Sequence, residues 1–294
     1  MSRTPSALDT IATWSSGTGM AGIASSFSYA GLTDRRLLAL SPSQAMLVML
    51  VVPVFFHVYV SFFVEENFFV LLEHNETMKK VGSIKSNKLS DLTTKGKLDQ
   101  QSSTLPSSLD TVDDRKTWAQ RQSIIKSLLR YMLPMSLTYF AEYLINQGLL
   151  ELMVFDCKHG FGTTPASQYR WYQVLYQVGV FVSRSSIKIV QLNMTVITLL
   201  PVLQLLNTAF FILNAIYAFV PSFAIVCVIV LYEGFIGGGS YVNTFHHIHK
   251  TIDPSIREFA LSTVTTADSF GILVAAIVAI PVHNSICALQ WYHA

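Results

Sequence analysis

The chain has 294 residues, 51% hydrophobic and 13% charged, with a formal net charge of +2 and a mean hydropathy of +0.43. So large an apolar share, with about half the usual charge, excludes a soluble globular domain and predicts an all-α polytopic membrane protein in a lipid bilayer. The three cysteines, Cys157, Cys227 and Cys287, are too scattered for a disulfide framework or a metal box, and nothing in the charge pattern calls for nucleic acid.

Taken in chain order, Met1 to Thr10 lacks the basic start and Leu-rich core of a cleavable signal. Ile11 to Leu32 is a weak span rich in Ser, Gly and Ala. Its pairs Ser15–Gly19 and Thr18–Gly22 stand at small-xxx-small spacing, which suits a helix held tightly against others. Ser43 to Val64 is a strong span with no Lys, Arg, Asp or Glu, expected to be peripheral and lipid-facing. Glu65 to Lys126 holds about half of the chain's charged residues and is expected to be a disordered cytosolic loop. Arg130 to Phe155 is long enough to cross a bilayer as one helix, yet carries Glu142 and Asn146 near its middle and Gln147 beside them. After a loop from Asp156 to Gln168 come an amphipathic span, Tyr169 to Val182, and a basic turn, Ser183 to Lys188. Ile189 to Val220 is an uncharged span, and Phe223 to Phe245 contains Glu233 and the run Gly237-Gly238-Gly239. A polar loop, His246 to Glu258, leads to a last span, Phe259 to Val282, with Asp268 inside it. That makes about seven spans in three parts: two spans in 1–64, the loop in 65–127 and a bundle in 128–294.

Lys and Arg near span ends set the orientation. With the long loop in the cytosol, Arg184 and Lys188, then Lys250 and Arg257, fall on the same side, and the turn at Pro221 carries no basic residue on the other. Arg35 and Arg36 violate the pattern.

A carboxylate deep in a membrane costs a few kcal/mol on insertion scales, so it normally faces protein or a water-filled cavity. On a helix Glu142, Asn146 and Glu151 fall within roughly a quarter-turn of one stripe. Glu142 lies about a dozen residues from the cytosolic end of its span, Glu233 about eleven from the lumenal end and Asp268 about nine from the cytosolic end, so all three lie near one level. One reading is a polar stripe that only joins helices. The other is a proton- or cation-linked pathway, since burial and nearby charge retune a carboxyl group's proton affinity. Arg184, flanked by Ser183, Ser185 and Ser186, could hold a phosphate or carboxylate, and so could Arg170 within Tyr169-Arg170-Trp171-Tyr172. Both also fit an interfacial belt with snorkelling arginines. His246, His247 and His249 fit a solvated loop better than a metal or a pH sensor. The triple glycine fits a close backbone approach or a bend.

Several segments resemble the battenin family of lysosomal membrane proteins: Tyr139-Phe-Ala-Glu-Tyr-Leu-Ile-Asn-Gln-Gly148, Gln168-Tyr-Arg-Trp-Tyr-Gln-Val-Leu-Tyr-Gln177, Ser183-Arg-Ser-Ser186, Tyr232 to His246, Arg257-Glu-Phe-Ala260 and Trp14-Ser-Ser-Gly-Thr-Gly19. The resemblance implies a major-facilitator-like fold in lysosomal and late endosomal membranes. It further implies roles in lysosomal pH and in efflux of glycerophosphodiesters or, in fungal relatives, basic amino-acid balance. On that fold Ile11 to Leu32 takes the place of the fifth helix, so counterparts of the first four are expected to be absent. The charged spans take the cavity-lining places seven, ten and eleven. The family's prenylation-type ending is not matched, because Cys287-Ala-Leu-Gln290 is followed by four more residues. Its acidic dileucine signal is not matched either, since Glu66 stands one residue too far from Leu71-Leu72.

Two functional classes follow. The first is a transporter whose substrate or proton pathway uses Glu142, Asn146, Glu233 and Asp268, with Arg184 or Arg170 for an anionic group of a small-molecule substrate such as a phosphodiester or a basic amino acid. The second is a scaffold that binds cytosolic trafficking proteins through its loop. No nucleophile–base pair, cofactor motif or metal box points to an enzyme. The glycan acceptor patterns Asn75-Glu-Thr77 and Asn193-Met-Thr195 fall in the cytosol and inside a span, so neither is expected to be glycosylated. A glycosidase-sensitive mass shift that disappears in Asn75→Gln would invert this topology.

Overall fold

In the computed structural model, residues 7–62 and 114–289 are described, and among them every regular element is helical. Seven long helices follow one another: α1 (Ala7–Thr33), α2 (Pro42–Phe62), α3 (Asp114–Leu144), α4 (Pro165–Ser185), α5 (Met194–Tyr217), α6 (Phe223–Thr251) and α7 (Pro254–Cys287). Four of them, α2, α5, α6 and α7, are long and apolar enough to cross a membrane by length and composition. The chain is a multi-pass, all-α membrane protein, as its composition predicts. The glycan pattern at Asn75, the dileucine comparison at Glu66 and the four residues after Gln290 lie outside the described residues.

The α2 helix belongs to a separate unit spanning residues 42–114. Its exposed surface is apolar along its length, with Leu47, Val52, Phe55, Phe56 and Phe62 all outward, as suits contact with lipid.

The other unit, α1 with α3 to α7, is built on close backbone approaches. A Cβ on Gly179 of α4 would strike the Leu231 carbonyl of α6, and one on Gly234 would strike the Tyr176 carbonyl. Glycine is therefore the residue that lets α4 and α6 touch backbone to backbone. Along α1, a Cβ on Gly19 would lie 3.0 Å from the Phe181 Cα and one on Gly22 would meet the Gln177 amide, so the small-residue spacing serves the role expected of it. Two apolar clusters fill the ends. Leu128, Tyr131, Met135, Phe245, Ile248, Ala260 and Val264 form one at the end rich in Lys, Arg and His, called here the basic end. Ile145, Leu149, Tyr172, Phe211, Phe223 and Val226 form part of the other.

Several boundaries differ from expectation. α3 begins at Asp114, so residues 114–127 are helical although they fall in the stretch expected to be disordered. The span foreseen as one helix from Arg130 to Phe155 stops being α-helical at Leu144 and continues as a π turn, Ile145–Leu149, and a 3₁₀ turn, Leu150–Leu152. Gly148 lies in that turn, where an added Cβ would sit 3.1 Å from the Ala279 side chain of α7, and Asn146 Nδ2 donates to the Glu142 carbonyl at 3.0 Å. Both features compete with regular α-helical bonding. Asn193, expected inside a span, is instead the N-cap of α5 and accepts from the Val196 N–H at 2.9 Å. His246, His247 and His249 lie not in a polar loop but in the last turns of α6. There imidazoles and Lys250 suit the negative end of the helix dipole. The connection to α7 is short because Asp253 caps the next helix, accepting from Ser255 N–H at 2.8 Å, with Pro254 at its first position.

At the end opposite the basic one, Asp34 clamps α1 to α4. It is 5% exposed and accepts from the Ser167 hydroxyl, from the Arg36 N–H at 2.8 Å and from Trp171 Nε1 at 3.2 Å. The Ser167 bond, then the Arg36 N–H, holds its carboxyl below the usual carboxylate value of 3.8. A depressed carboxyl contributes stability at every pH above its unfolded value and loses it only as pH falls through the folded value. Asp34→Asn is therefore expected to cost about 1–3 kcal/mol, by the same amount at about pH 7 and about pH 5. Detergent thermal-unfolding curves of both proteins at the two pH values measure this; a difference that fades by the lower pH would refute the clamp.

Candidate functional site

Between the two apolar clusters runs a layer of buried polar groups. Glu142, in the last turn of α3, is 1% exposed, and Glu233, near the middle of α6, is fully buried. Glu142 Oε1 accepts from the Tyr176 hydroxyl of α4. Glu233 Oε1 accepts from Asn146 Nδ2 at 2.8 Å, and the same amide nitrogen reaches the Glu142 carbonyl. Gln173 Nε2 donates to Asn146 Oδ1 at 3.1 Å and the Tyr169 hydroxyl to the Asn146 carbonyl at 3.2 Å. Asn146, in the π turn, is thus the junction through which Glu142, Glu233 and α4 are joined. On each glutamate the second oxygen, Oε2, is buried with no partner within the protein.

Helical spacing explains how α4 serves this layer. Tyr169, Gln173 and Tyr176 follow one another at four and three residues, so they share a face, and all three reach Glu142 or Asn146. Composition hid this, because the same tyrosines read equally well as an interfacial belt. The triple glycine also finds its reason. A Cβ on Gly237 would overlap the Glu142 carboxylate, and one on Gly238 would lie 2.7 Å from the Val180 carbonyl.

Arg184 departs from expectation in its surroundings. It arises in the last turn of α4, but its guanidinium turns inward, over the Tyr241 ring at 4.3 Å. It donates to the Tyr139 hydroxyl at 3.3 Å and to the Thr18 hydroxyl at 3.1 Å. The serines expected beside it serve elsewhere: Ser183 donates to the Phe235 carbonyl, Ser186 to the Ser183 carbonyl, and Ser185 meets Ser16. Tyr139 and Tyr241, with Trp14 stacked on Tyr241 at 5.7 Å, make the cage that the sequence reading missed. The signal was available in Trp14 and Thr18, one helical turn apart on α1. Glu142 and Asp268 both feel the Arg184 charge. Asp268 is 6% exposed and is held by its neighbour Ser269, accepting from its hydroxyl at 3.1 Å and from its backbone N–H.

Five of the six residues singled out in the sequence, Glu142, Asn146, Glu233, Arg184 and Asp268, therefore belong to one polar layer. Arg170 does not. It stands in the second turn of α4, some 20 Å along the helix from Arg184, donates to the Thr33 carbonyl at 3.4 Å and lies near the Asp34 carboxylate. There it lines, with Tyr29, Glu151 and Tyr169, a cavity of about 450 Å³. Glu151, expected on the Glu142 stripe, is exposed, because the π and 3₁₀ turns change the helical register after Leu144.

A sequence profile described as CLN3 protein matches residues 6–289. Battenin from Canis lupus familiaris is 38% identical over 280 residues, which cover 95% of this chain and 59% of that protein. Protein BTN1 from Eremothecium gossypii is 35% identical over 292 residues, 94% of this chain and 67% of its own, and Protein BTN1 from Saccharomyces cerevisiae is 31% identical over 293 residues, with the same two shares. The chain thus spans between 59% and 67% of the length of these three relatives. No solved structure matches it. A match over nearly the whole chain, joined to the quoted motifs and the helical architecture, places it: the chain belongs to the CLN3 protein family.

Proposed function

We propose that this protein works in lysosomal and late endosomal membranes as a proton-coupled carrier rather than an enzyme. In this reading it exports a small metabolite with an anionic group, a glycerophosphodiester or an amino acid of the basic class, and so bears on lysosomal pH. Family membership supports the compartment. The observation that carries the mechanism is the pair Glu142 and Glu233, each buried with one oxygen engaged and the other unpartnered.

An unengaged carboxylate oxygen in the bundle interior is a place where a proton can be taken up and given back. On Glu233, protonation removes the charge that strengthens the bond from Asn146. Asn146 sits in the π turn, so the change acts on the backbone of that segment, and π turns are frequent at functional sites. On Glu142, protonation at Oε2 leaves the Tyr176 bond on Oε1 in place but weakens its charge assistance. Arg184 supplies the substrate contact. Its Nε has no partner within the protein, so an anionic oxygen could take two guanidinium donors together while the tyrosine cage keeps the group oriented. Asp268, which feels the same guanidinium, is the carboxylate that such an anion would compete with.

The test is efflux of a glycerophosphodiester, with a basic amino acid in parallel, from vesicles holding the protein under an imposed pH gradient. Glu142→Gln, Glu233→Gln and Asp268→Asn each keep shape and hydrogen bonding but cannot titrate. They are expected to lower gradient-driven flux by about tenfold or more at matched protein level. Arg184→Lys is expected to raise the substrate concentration needed by about tenfold, the loss of one charge-assisted bond. A scaffold that acts through residues 65–127 would give the opposite ranking: deleting the loop would matter, and unchanged flux in the carboxylate variants would end the coupling idea.

A further inference from the structure

From Glu233 onward, one face of α6 carries a run of groups most of which the carrier mechanism leaves unused. Glu233, Gly237, Ser240, Thr244, His247 and Thr251 follow at intervals of four and three residues, a single stripe on an α-helix. Contacts at both ends fix where the stripe points. Gly237 faces the Glu142 carboxylate of α3. The His247 ring lies 6.3 Å from that of Tyr131, and the Thr251 hydroxyl is 3.1 Å from the Tyr131 hydroxyl. The stripe therefore runs along α3 from midspan to the basic end. α5 forms the third wall. Its Thr208 donates to the Ala141 carbonyl of α3 at 3.3 Å, which brings fully buried Gln204, one turn earlier, to the same seam.

Most of the buried polar atoms with no protein partner gather here, while Ser15 Oγ, Arg170 Nε and Arg257 Nε lie elsewhere. Among the described residues those gathered here include Glu142 Oε2, Glu233 Oε2, Ser240 Oγ, Thr244 Oγ1, His247 Nδ1 and both amide atoms of Gln204. The two hydroxyls depart from the habit of the fold. Thr138, Thr198, Thr208 and Thr263 all donate back to the carbonyl one turn earlier, whereas Ser240 and Thr244 turn away from theirs. Polar atoms buried without a partner are rare in folded proteins, and where they gather in a row the usual remedy is ordered water with about two to four partners each.

We propose that an ordered file of water fills the seam between α3, α5 and α6 and joins the Glu142–Glu233 pair to His247 at the basic end, giving protons a path along it. Glu233 to His247 spans about 21 Å of helix, or roughly seven waters at hydrogen-bond spacing. In each hop one O–H bond breaks as the next forms, so a proton enters at one end, another leaves at the other, and the waters and hydroxyls then rotate back. At the basic end His247 is faced by Arg130 and Tyr131 of α3 and by His246 and Lys250 of its own helix. α7 brings Arg257 to the neighbouring His249. At midspan the groups facing Glu142 are Tyr176, Arg184 and Asp268, and those facing Glu233 are Asn146 and Glu142. The proton traffic rests on the carrier reading above; the file itself rests on the geometry of the seam.

The two are separated by measuring water and flux independently. Radiolytic hydroxyl labelling marks buried side chains only where bound water touches them; Tyr131, 1% exposed, meets His247 and Thr251 of the stripe, and Met135, 0% exposed, stands one turn further along α3. Both are expected to label in the intact protein in detergent, and to label several-fold less in the Ser240→Ala/Thr244→Val double variant. Unlabelled Tyr131 and Met135, or labelling that the double variant leaves unchanged, would show a dry seam and overturn the file. In pH-gradient vesicles Thr244→Val, matched in shape, is expected to slow proton flux about tenfold, while Thr244→Ser, which keeps the hydroxyl, stays within about twofold of the parent. Equal flux in Thr244→Val and parent would overturn the path although water were present. Intact protein that labels but passes no protons would sink the carrier reading and the path while leaving the file standing.

Discussion

Two carboxylates share the interior of an apolar bundle, and much of the neighbouring structure follows from housing them. A carboxylate taken out of water must be paired or hydrogen-bonded if it is to keep its charge. Here the tyrosine of α4 serves Glu142 and the asparagine of the π turn serves Glu233. That service depends on distance. Tyr176 reaches Glu142 because α4 lies against α6, and α4 can lie there because Gly234 leaves room for the backbone of Tyr176 itself. Gly237, on the next turn, leaves room for the carboxylate. One glycine thus positions the donor and its neighbour seats the acceptor, so the glycine-rich run belongs to the polar layer rather than to helix flexibility.

The π turn has the same origin. A regular helix through Ile145 to Leu149 would pair every amide with the carbonyl four residues earlier, but here the Leu150 N–H reaches back five, to the Ile145 carbonyl, while the Asn146 side chain donates to the Glu142 carbonyl. Gly148 against Ala279 lets the wider turn settle on α7. The result is a segment of α3 whose backbone depends on a side chain, and that side chain depends on Glu233. This is the physical link by which a change of charge in the interior can reach the main chain.

Much of this was legible in the sequence, for definite reasons. Glu142, Asn146, Glu233 and Asp268 stand out because an ionisable or amide group in an apolar span is expensive and therefore informative. Small-residue spacing on α1 announced a close helix pair, and Gly19 and Gly22 make one. What stayed hidden depended on direction rather than identity. Arg184 could be placed on its helix, but not turned inward onto Tyr139 and Tyr241. Tyr169 and Tyr176 read as an aromatic belt because belt and site use the same residues, and Gln173 drew no reading of its own from its residue type. His246 to His249 read as loop because polar residues after a span usually mean its end, yet Ile252-Asp253 is all that separates the two helices. Asp34 was passed over because a lone acidic residue after a small-residue span has no pattern; its partners Ser167 and Trp171 lie far along the chain.

The two ends of the bundle divide the work. The basic end gathers Arg130, Lys188, Lys250 and the histidines, where charge sets orientation and surrounds the mouth of the proposed water file. At the other end Arg36 would break that rule if its charge were free to act. Instead its Nη2 is committed to the carbonyls of Phe161 and Gly162, at 3.1 and 2.9 Å, and Gly162 holds a left-handed backbone with φ of +66° to present them. Beside it Asp34 accepts from the Arg36 backbone N–H and ties down α4 through Ser167 and Trp171. An arginine bound to loop carbonyls next to a buried aspartate is a structural ligand, and it weighs little against the several basic residues gathered at the other end. The part of the exception that Arg36 carries and the clamp between α1 and α4 are therefore one feature, which leaves exposed Arg35 as the residue that stands against the orientation inferred from the basic end.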